Sequence, residues 1–169
     1  MAETTTKTAA APNRSKTLRQ FVIALLLCLA IIQIFKEPPY KNLENDQLQI
    51  MLEKNIPVYD VRRAEEWQQT GIIEGSQLLT FVDADGRVQE NFMHRFTAEV
   101  GKNDPVILIC RTGSRTRSLA YYLVKEQGYT NVFNVEDGIT QWLREKRPVQ
   151  NRIIPTSEMQ VNYEQYRYN

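Results

Sequence analysis

Short apolar runs alternate with stretches of helical spacing between about residue 45 and residue 148 of the chain. The runs predict strands at 56–61, 77–80, 106–109 and 132–135. Apolar residues three and four positions apart predict helices near 48–52, 63–69, 92–100, 119–124 and 138–146. Because strands and helices alternate, the pattern predicts an α/β domain over residues 45–148, in which helices wrap a parallel sheet.

An apolar stretch at residues 21–35, polar only at Gln33, precedes this domain. A helix needs about 20 residues to cross a bilayer, but flanking residues such as the snorkelling Arg19 and Lys36 can extend a shorter run. A cleaved signal peptide is disfavoured because its apolar core would hold only about seven residues. The basic leader in front of the run argues against a buried core helix. We therefore predict an uncleaved, single-pass transmembrane anchor at 21–35.

The remaining segments are polar. Residues 1–20 read as a disordered basic leader, 36–44 as a proline-containing linker, and 149–169 as a loose tail. Four basic residues precede the apolar run at close range, whereas two follow it. The positive-inside rule thus predicts a leader in the cytoplasm and an extracytoplasmic domain, periplasmic in a Gram-negative source, with the cytoplasmic face as the alternative.

Composition removes several classes of function. The formal net charge is +1 and the basic residues are scattered, so we expect no nucleic-acid partner. The two cysteines, Cys28 and Cys110, cannot build a disulfide framework or a zinc cluster, and no metal site is predicted. The single histidine, His94, lies in a helical stretch far from Cys110. A hydrolase that pairs a cysteine with a histidine base is therefore disfavoured.

The segment from Val106 to Thr116 carries the candidate chemistry. A continuous apolar run, typical of a buried central strand, ends in Cys110, and a short loop with Gly113 leads into a helix. Ligands of parallel sheets bind at the C-terminal ends of the strands. Backbone N–H groups in such a loop, next to a helix N-terminus, bind anions and stabilise a thiolate. We therefore predict that Cys110 is a nucleophile beside an anion site.

Three arginines lie close to this predicted helix start. The helix dipole makes each cation there unfavourable by about 0.3 kcal/mol or more. A local rule broken beside a nucleophile indicates an anionic ligand. We assign that role to Arg111 and Arg115, and expect Arg117 to face water.

The loop Cys110-Arg-Thr-Gly-Ser-Arg115 is similar to the six-residue active-site loop of the rhodanese family. Two more blocks agree with the family in the right order. Residues 59–75 resemble its Asp-Val-Arg to Gly-His-Ile-x-Gly block, and residues 128–142 resemble its Gly-Tyr to Gly-Gly-x-x-x-Trp block. The departures are Ile72, Ser76 and Asp137, which replace a histidine, an alanine and a glycine.

The resemblance implies a single rhodanese-like domain with about five short parallel strands, and sulfur transfer as its activity. Cys110 would be catalytic, with Asp60 and Arg62 in support. The implied partners are a small anionic sulfur donor such as thiosulfate and a thiol, cyanide or partner-protein acceptor. The membrane is expected as a partner from the predicted anchor, which lies outside the resemblance. No metal or organic cofactor is implied, because the sulfur is carried as a covalent persulfide. The implied substrate-binding loop consists of Arg111, Thr112, Gly113, Ser114, Arg115 and Thr116.

Two other functions remain open. The first is that of a cysteine phosphatase or arsenate reductase. Those enzymes have a loop one residue longer, with an arginine six positions after the cysteine, whereas this chain has Thr116 at that position. The second is a binding or scaffold module at the membrane that has no turnover.

Overall fold

The computed structural model describes residues 14–34 and 37–151, and within the first range the side chains of residues 18–28. The chain divides into two units, Met1–Glu37 and Pro38–Asn169. The predicted leader before residue 14 and the tail after residue 151 lie outside the described residues.

The first unit contains helix α1, Arg14–Ile34. It begins inside the segment predicted to be a disordered leader and continues through most of the predicted anchor. Its described apolar side chains are exposed, with Phe21 at 69% and Leu25 at 60%. No helix in residues 14–34 and 37–151 combines the length and apolarity that crossing a membrane requires.

The predicted transmembrane anchor at 21–35 is therefore not supported. Basic residues at 14, 16 and 19 occupy the first turns of α1, and fifteen residues remain for the apolar part. At about 1.5 Å per residue that part is about 22 Å long, against about 30 Å of bilayer hydrocarbon. Membrane attachment and the extracytoplasmic orientation stay predictions.

The second unit is an α/β domain, as its sequence pattern predicts. Its helices are α2 (Asn45–Glu53), α3 (Ala64–Thr70), α4 (Phe92–Glu99), α5 (Ser114–Lys125) and α6 (Gly138–Arg144). Its strands are β1 (Lys41–Leu43), β2 (Val58–Asp60), β3 (Gln77–Leu78), β4 (Val106–Ile109) and β5 (Val132–Val135). They form one parallel sheet in the order β1-β5-β4-β2-β3.

Strand β1 corrects the prediction of a linker over 36–44. It pairs in parallel with β5, and Leu43 lies opposite Val135. Of the three residues of β1, Leu43 is buried and the other two are exposed. The segment is therefore too short to show the alternation of apolar and polar residues that would predict a strand. Pairing with β5, far along the chain, creates this strand.

Strand β4 lies at the centre of the sheet, and all four of its residues are buried. Successive side chains point to opposite faces of a strand. Ile107 and Ile109 accordingly belong to the core on one face of the sheet, and Val106, Leu108 and Cys110 to the core on the other. Cys110 thus continues the inward-facing row of β4 to the edge where the site lies.

Candidate active site

Cys110 directly follows β4 and begins the loop that leads to α5. Its side chain has no exposed surface. Gly113, the last residue before α5, has φ +77°, in the left-handed region that favours glycine. A Cβ at Gly113 would lie 1.7 Å from the carbonyl oxygen of Glu136, so the neighbouring chain leaves no room for a side chain. The loop therefore needs glycine at this position for two independent reasons.

The start of α6 holds the loop from the other side. The N–H of Ile139 donates to the carbonyl of Cys110 at 2.9 Å. The N–H and the hydroxyl of Thr140 both donate to the carbonyl of Arg111, at 3.0 and 2.7 Å. A Cβ at Gly138 would approach the carbonyl oxygen of Cys110 to 2.4 Å. These contacts fix the direction of the first two peptide groups of the loop.

The N–H groups of the loop are left available. Within the described residues, those of Arg111, Thr112 and Gly113 have no hydrogen-bond acceptor. Successive free N–H groups next to a helix N-terminus bind anions. The hydroxyls of Thr112 and Ser114 are exposed and lie 3.2 Å apart. The loop therefore offers donors to a small anion at the position where the strand ends.

Thr116 is the side chain next to the sulfur. It is completely buried in the first turn of α5, and its Oγ1 lies 3.4 Å from Cys110 Sγ. The same Oγ1 lies 3.1 Å from the carbonyl oxygen of Gly113. A phosphatase of this general design has an arginine at this position of the sequence, and here no charge is present.

Arg115 is bound to Glu66 of α3. Its two terminal nitrogens donate to the two carboxylate oxygens at 2.8 and 2.5 Å. The hydrogen bonds to Glu66 raise the pKa of Arg115. Burial by itself raises the pKa of Glu66, but the hydrogen bonds from Arg115 and from the N–H of Arg63 outweigh it and hold that pKa below its usual value. The pair ties α3 to α5 and neutralises the charge of Arg115.

Asp60 and Arg62 form a second, fully buried ion pair at the end of β2, with their nearest atoms 2.7 Å apart. The Arg62 guanidinium also donates to the hydroxyl of Thr70 at 2.6 Å and to the carbonyl of Gly71 at 2.8 Å. Since both acceptors lie at the end of α3, Arg62 fastens that helix to the sheet. Asp60 and Arg62 thereby support the helix that carries Glu66.

Arg111 differs from both of these arginines. Its side chain is exposed and has no partner within the described residues. It borders a cleft of about 450 Å³ that Arg115 also lines, together with α3 and the segment 82–86. A neighbouring cleft of about 560 Å³ contains no residue of 110–116. The uncompensated cation of the loop is therefore Arg111, although the sequence predicts equal roles for Arg111 and Arg115.

Sequence reasoning missed Glu66. Its carboxylate accepts the N–H of Arg63 at 3.1 Å, three residues earlier, which is the spacing of a helix-capping glutamate. That spacing was a usable sequence signal for the cap. No sequence signal linked Glu66 to Arg115, 49 residues away. His94 is exposed on α4 and is not part of the site.

Comparison with known proteins identifies the family to which the domain belongs. A profile of the Rhodanese-like domain matches residues 44–145, more than half of the chain and every residue of the site described above. The chain belongs to the rhodanese-like domain family. The family resemblance that the sequence motifs predict is therefore confirmed.

Relatives of known name agree with this assignment. The rhodanese domain-containing protein CG4456 of Drosophila melanogaster is 34% identical over 98 residues, which cover 54% of this chain and 86% of the relative. Thiosulfate sulfurtransferase GlpE of Pseudomonas savastanoi is 28% identical over 103 residues, 61% of this chain and 87% of the relative. Rv0390 of M. tuberculosis has a similar structure, with a TM-score of 0.56, 25% identity, and coverage of 67% and 99% of the two chains.

Proposed function

We propose that the rhodanese-like domain is a sulfurtransferase that carries sulfur as a persulfide on Cys110. The observation that carries the proposal is the loop itself, in which three free N–H groups follow a cysteine at the end of the central strand. The relationship to thiosulfate sulfurtransferase GlpE supports the same activity.

The first half-reaction loads the sulfur. The Cys110 thiolate attacks the outer sulfur of thiosulfate, the bond between the two thiosulfate sulfurs breaks, and sulfite leaves with the electron pair. The enzyme then holds a persulfide. Negative charge moves over the loop during this step, and the free N–H groups of Arg111, Thr112 and Gly113 are positioned to stabilise it.

Arg111 is the arginine that binds the anionic donor in this proposal. Its guanidinium is unpaired within the described part of the chain and borders the cleft beside the loop. Arg115 is already paired with Glu66 through two hydrogen bonds, so its charge is compensated and it serves to hold the loop.

In the second half-reaction, a thiol or cyanide takes the outer sulfur and restores the cysteine. The reaction needs no metal and no organic cofactor, because the sulfur stays covalently bound between the two steps. The complete burial of Cys110 favours a small donor that can present a single sulfur atom to it. This also ranks sulfur transfer above phosphate ester hydrolysis, which requires a wider loop and a clamping arginine where Thr116 stands.

A steady-state assay tests the proposal. The full chain should form thiocyanate from thiosulfate and cyanide with ping-pong kinetics, since the sulfur is held covalently between the half-reactions. Cys110→Ser should abolish the turnover. Hydrolysis of an aryl phosphate that depends on Cys110, without thiocyanate formation, would replace the proposed function by a phosphatase.

A further inference from the structure

The hydroxyl of Thr116 is a hydrogen-bond donor to the reacting sulfur. Its Oγ1 lies 3.4 Å from Cys110 Sγ, and both side chains are fully buried. We propose that Thr116 is a catalytic residue of the second half-reaction, in which its hydroxyl stabilises the Cys110 thiolate as the sulfur departs to the acceptor. This inference rests on the proposed function, because it requires a persulfide on Cys110.

The hydroxyl of Thr116 has one proton and two acceptors. The carbonyl oxygen of Gly113 lies at 3.1 Å and Cys110 Sγ at 3.4 Å. An uncharged sulfur is a weak acceptor, so the carbonyl takes the proton while Sγ is the inner atom of a persulfide. A thiolate attracts the proton much more strongly, because hydrogen bonds to ionised groups are roughly twice as strong as neutral ones. The proton therefore turns to the sulfur when the sulfur becomes charged.

The burial of Cys110 makes the hydroxyl of Thr116 an important donor to a thiolate at this position. The hydroxyl of Thr116 is the one side-chain hydrogen bond to Cys110 Sγ among the described residues. Because Cys110 has no exposed surface, water does not share the charge of its thiolate. Arg115, which interacts electrostatically with Cys110, is held by Glu66.

The two half-reactions move charge on Cys110 Sγ in opposite directions. During loading, Sγ donates its electron pair to the outer sulfur of thiosulfate while the bond of that sulfur to the sulfite group breaks. During discharge, cyanide or a thiolate forms a bond to the outer sulfur, the persulfide bond breaks, and Sγ receives the electron pair. A donor to Sγ makes it a better leaving group and a weaker nucleophile. Thr116 is thus expected to speed discharge and not loading.

Three variants of the full chain, all in a Cys28→Ala background, test this inference. Thr116→Val removes the hydroxyl and keeps the shape of the side chain, and Thr116→Ser restores the hydroxyl. Thr97→Val is the matched control, because the hydroxyl of the exposed Thr97 also donates to a helix carbonyl, that of Met93 at 2.8 Å. Loading by thiosulfate and discharge by cyanide are followed separately by rapid quench and intact mass. The pH midpoint of Cys110 alkylation by iodoacetamide is measured in parallel.

Thr116→Val should slow discharge about tenfold, the effect of losing one charge-assisted hydrogen bond. Loading at high pH should be unchanged or up to about threefold faster, and the alkylation midpoint should rise by about one pH unit. Thr116→Ser and Thr97→Val should behave as the parent protein does. Equal slowing of both half-reactions, or failure of Thr116→Ser to restore discharge, would overturn the inference and leave Thr116 a structural residue.

A parent chain that takes up no sulfur would refute the proposed function and this inference with it. The alkylation midpoint then separates the two failures. A midpoint that still rises in Thr116→Val would show the hydrogen bond without the sulfur chemistry. An unchanged midpoint would show that the bond itself is absent.

Discussion

Replacing Gly113 by alanine tests the architecture of the loop, because two glycines of the chain separate its two physical requirements. Gly113 has φ +77° and Gly128 has φ +75°, so an alanine is strained at both positions. A Cβ at Gly128 meets nothing within 4 Å, whereas at Gly113 it lies 1.7 Å from the carbonyl oxygen of Glu136. The difference between Gly113→Ala and Gly128→Ala therefore measures the close approach of the two segments.

The magnitudes follow from these two geometries. The left-handed conformation costs a non-glycine residue about 1–2 kcal/mol, which both variants lose. Real Cβ contacts are essentially never shorter than 3.0 Å, so the segment around Glu136 must move by more than 1 Å to accept the Cβ at Gly113. The obstacle is backbone and cannot turn aside. Such overpacking costs about 1–3 kcal/mol more, so we expect about 2–5 kcal/mol for Gly113→Ala and about 1–2 kcal/mol for Gly128→Ala.

The same movement should impair the chemistry. Glu136 is followed closely by Ile139, whose N–H holds the carbonyl of Cys110 at 2.9 Å. A displacement of about 1 Å in a reacting group can reduce a rate about a hundredfold. Urea unfolding and the rate of sulfur loading by thiosulfate are measured for both variants. If Gly113→Ala matched Gly128→Ala within about 0.5 kcal/mol and loaded sulfur normally, the close approach would not constrain the loop.

The other predictions concern the charges around the loop. Arg111→Ala should raise the KM for thiosulfate about tenfold or more and leave stability unchanged. Arg115→Ala should lower the free energy of unfolding by about 1–3 kcal/mol, since it removes two hydrogen bonds from the carboxylate of Glu66. The reverse pattern would exchange the two roles. The pKa of Glu66 lies below 4.5, so its contribution to stability is present above that pH and is lost as the pH falls through the lowered value. The destabilisation caused by Glu66→Gln, measured by urea unfolding at several pH values, should therefore shrink below pH 4.5, and a constant difference would contradict the ion pair.

Local patterns explain why the strand and the loop that contain Cys110 were predictable. Val106–Ile109 is a continuous apolar run, and such a run predicts a strand buried on both faces. The cysteine and the glycine that follow it predict a tight loop at the strand end, which the structure has. All of these signals lie within a dozen consecutive residues. They depend on neighbours in the sequence and not on distant contacts.

Features that depend on distant pairing could not be predicted. Strand β1 exists because Leu43 meets Val135 across the sheet, and its own three residues carry no pattern. The different roles of Arg111 and Arg115 follow from one contact, because Arg115 reaches Glu66 on α3 and Arg111 does not. Position along the chain places both arginines beside Cys110, and the tertiary fold alone distinguishes them.

The transmembrane prediction is not supported, for a different reason. The prediction lengthened the run of fifteen apolar residues with the basic residues that flank it. It assumed that long cationic side chains could extend to the membrane surface while their stems stay in the apolar region. The helix does form, as α1, but its first turns contain basic residues and its apolar part falls short of a bilayer's thickness.

Sulfur loading of Cys110 is tested most directly by intact-protein mass spectrometry of the full chain in the Cys28→Ala background. This background removes the exposed second cysteine, so any added sulfur can be assigned to the buried Cys110. After exposure to thiosulfate the protein should gain the mass of one sulfur atom, and cyanide should remove it. Cys110→Ser should gain nothing. A parent protein that keeps its mass, or a Cys110→Ser protein that gains sulfur equally, would contradict the assignment of Cys110 as the sulfur carrier.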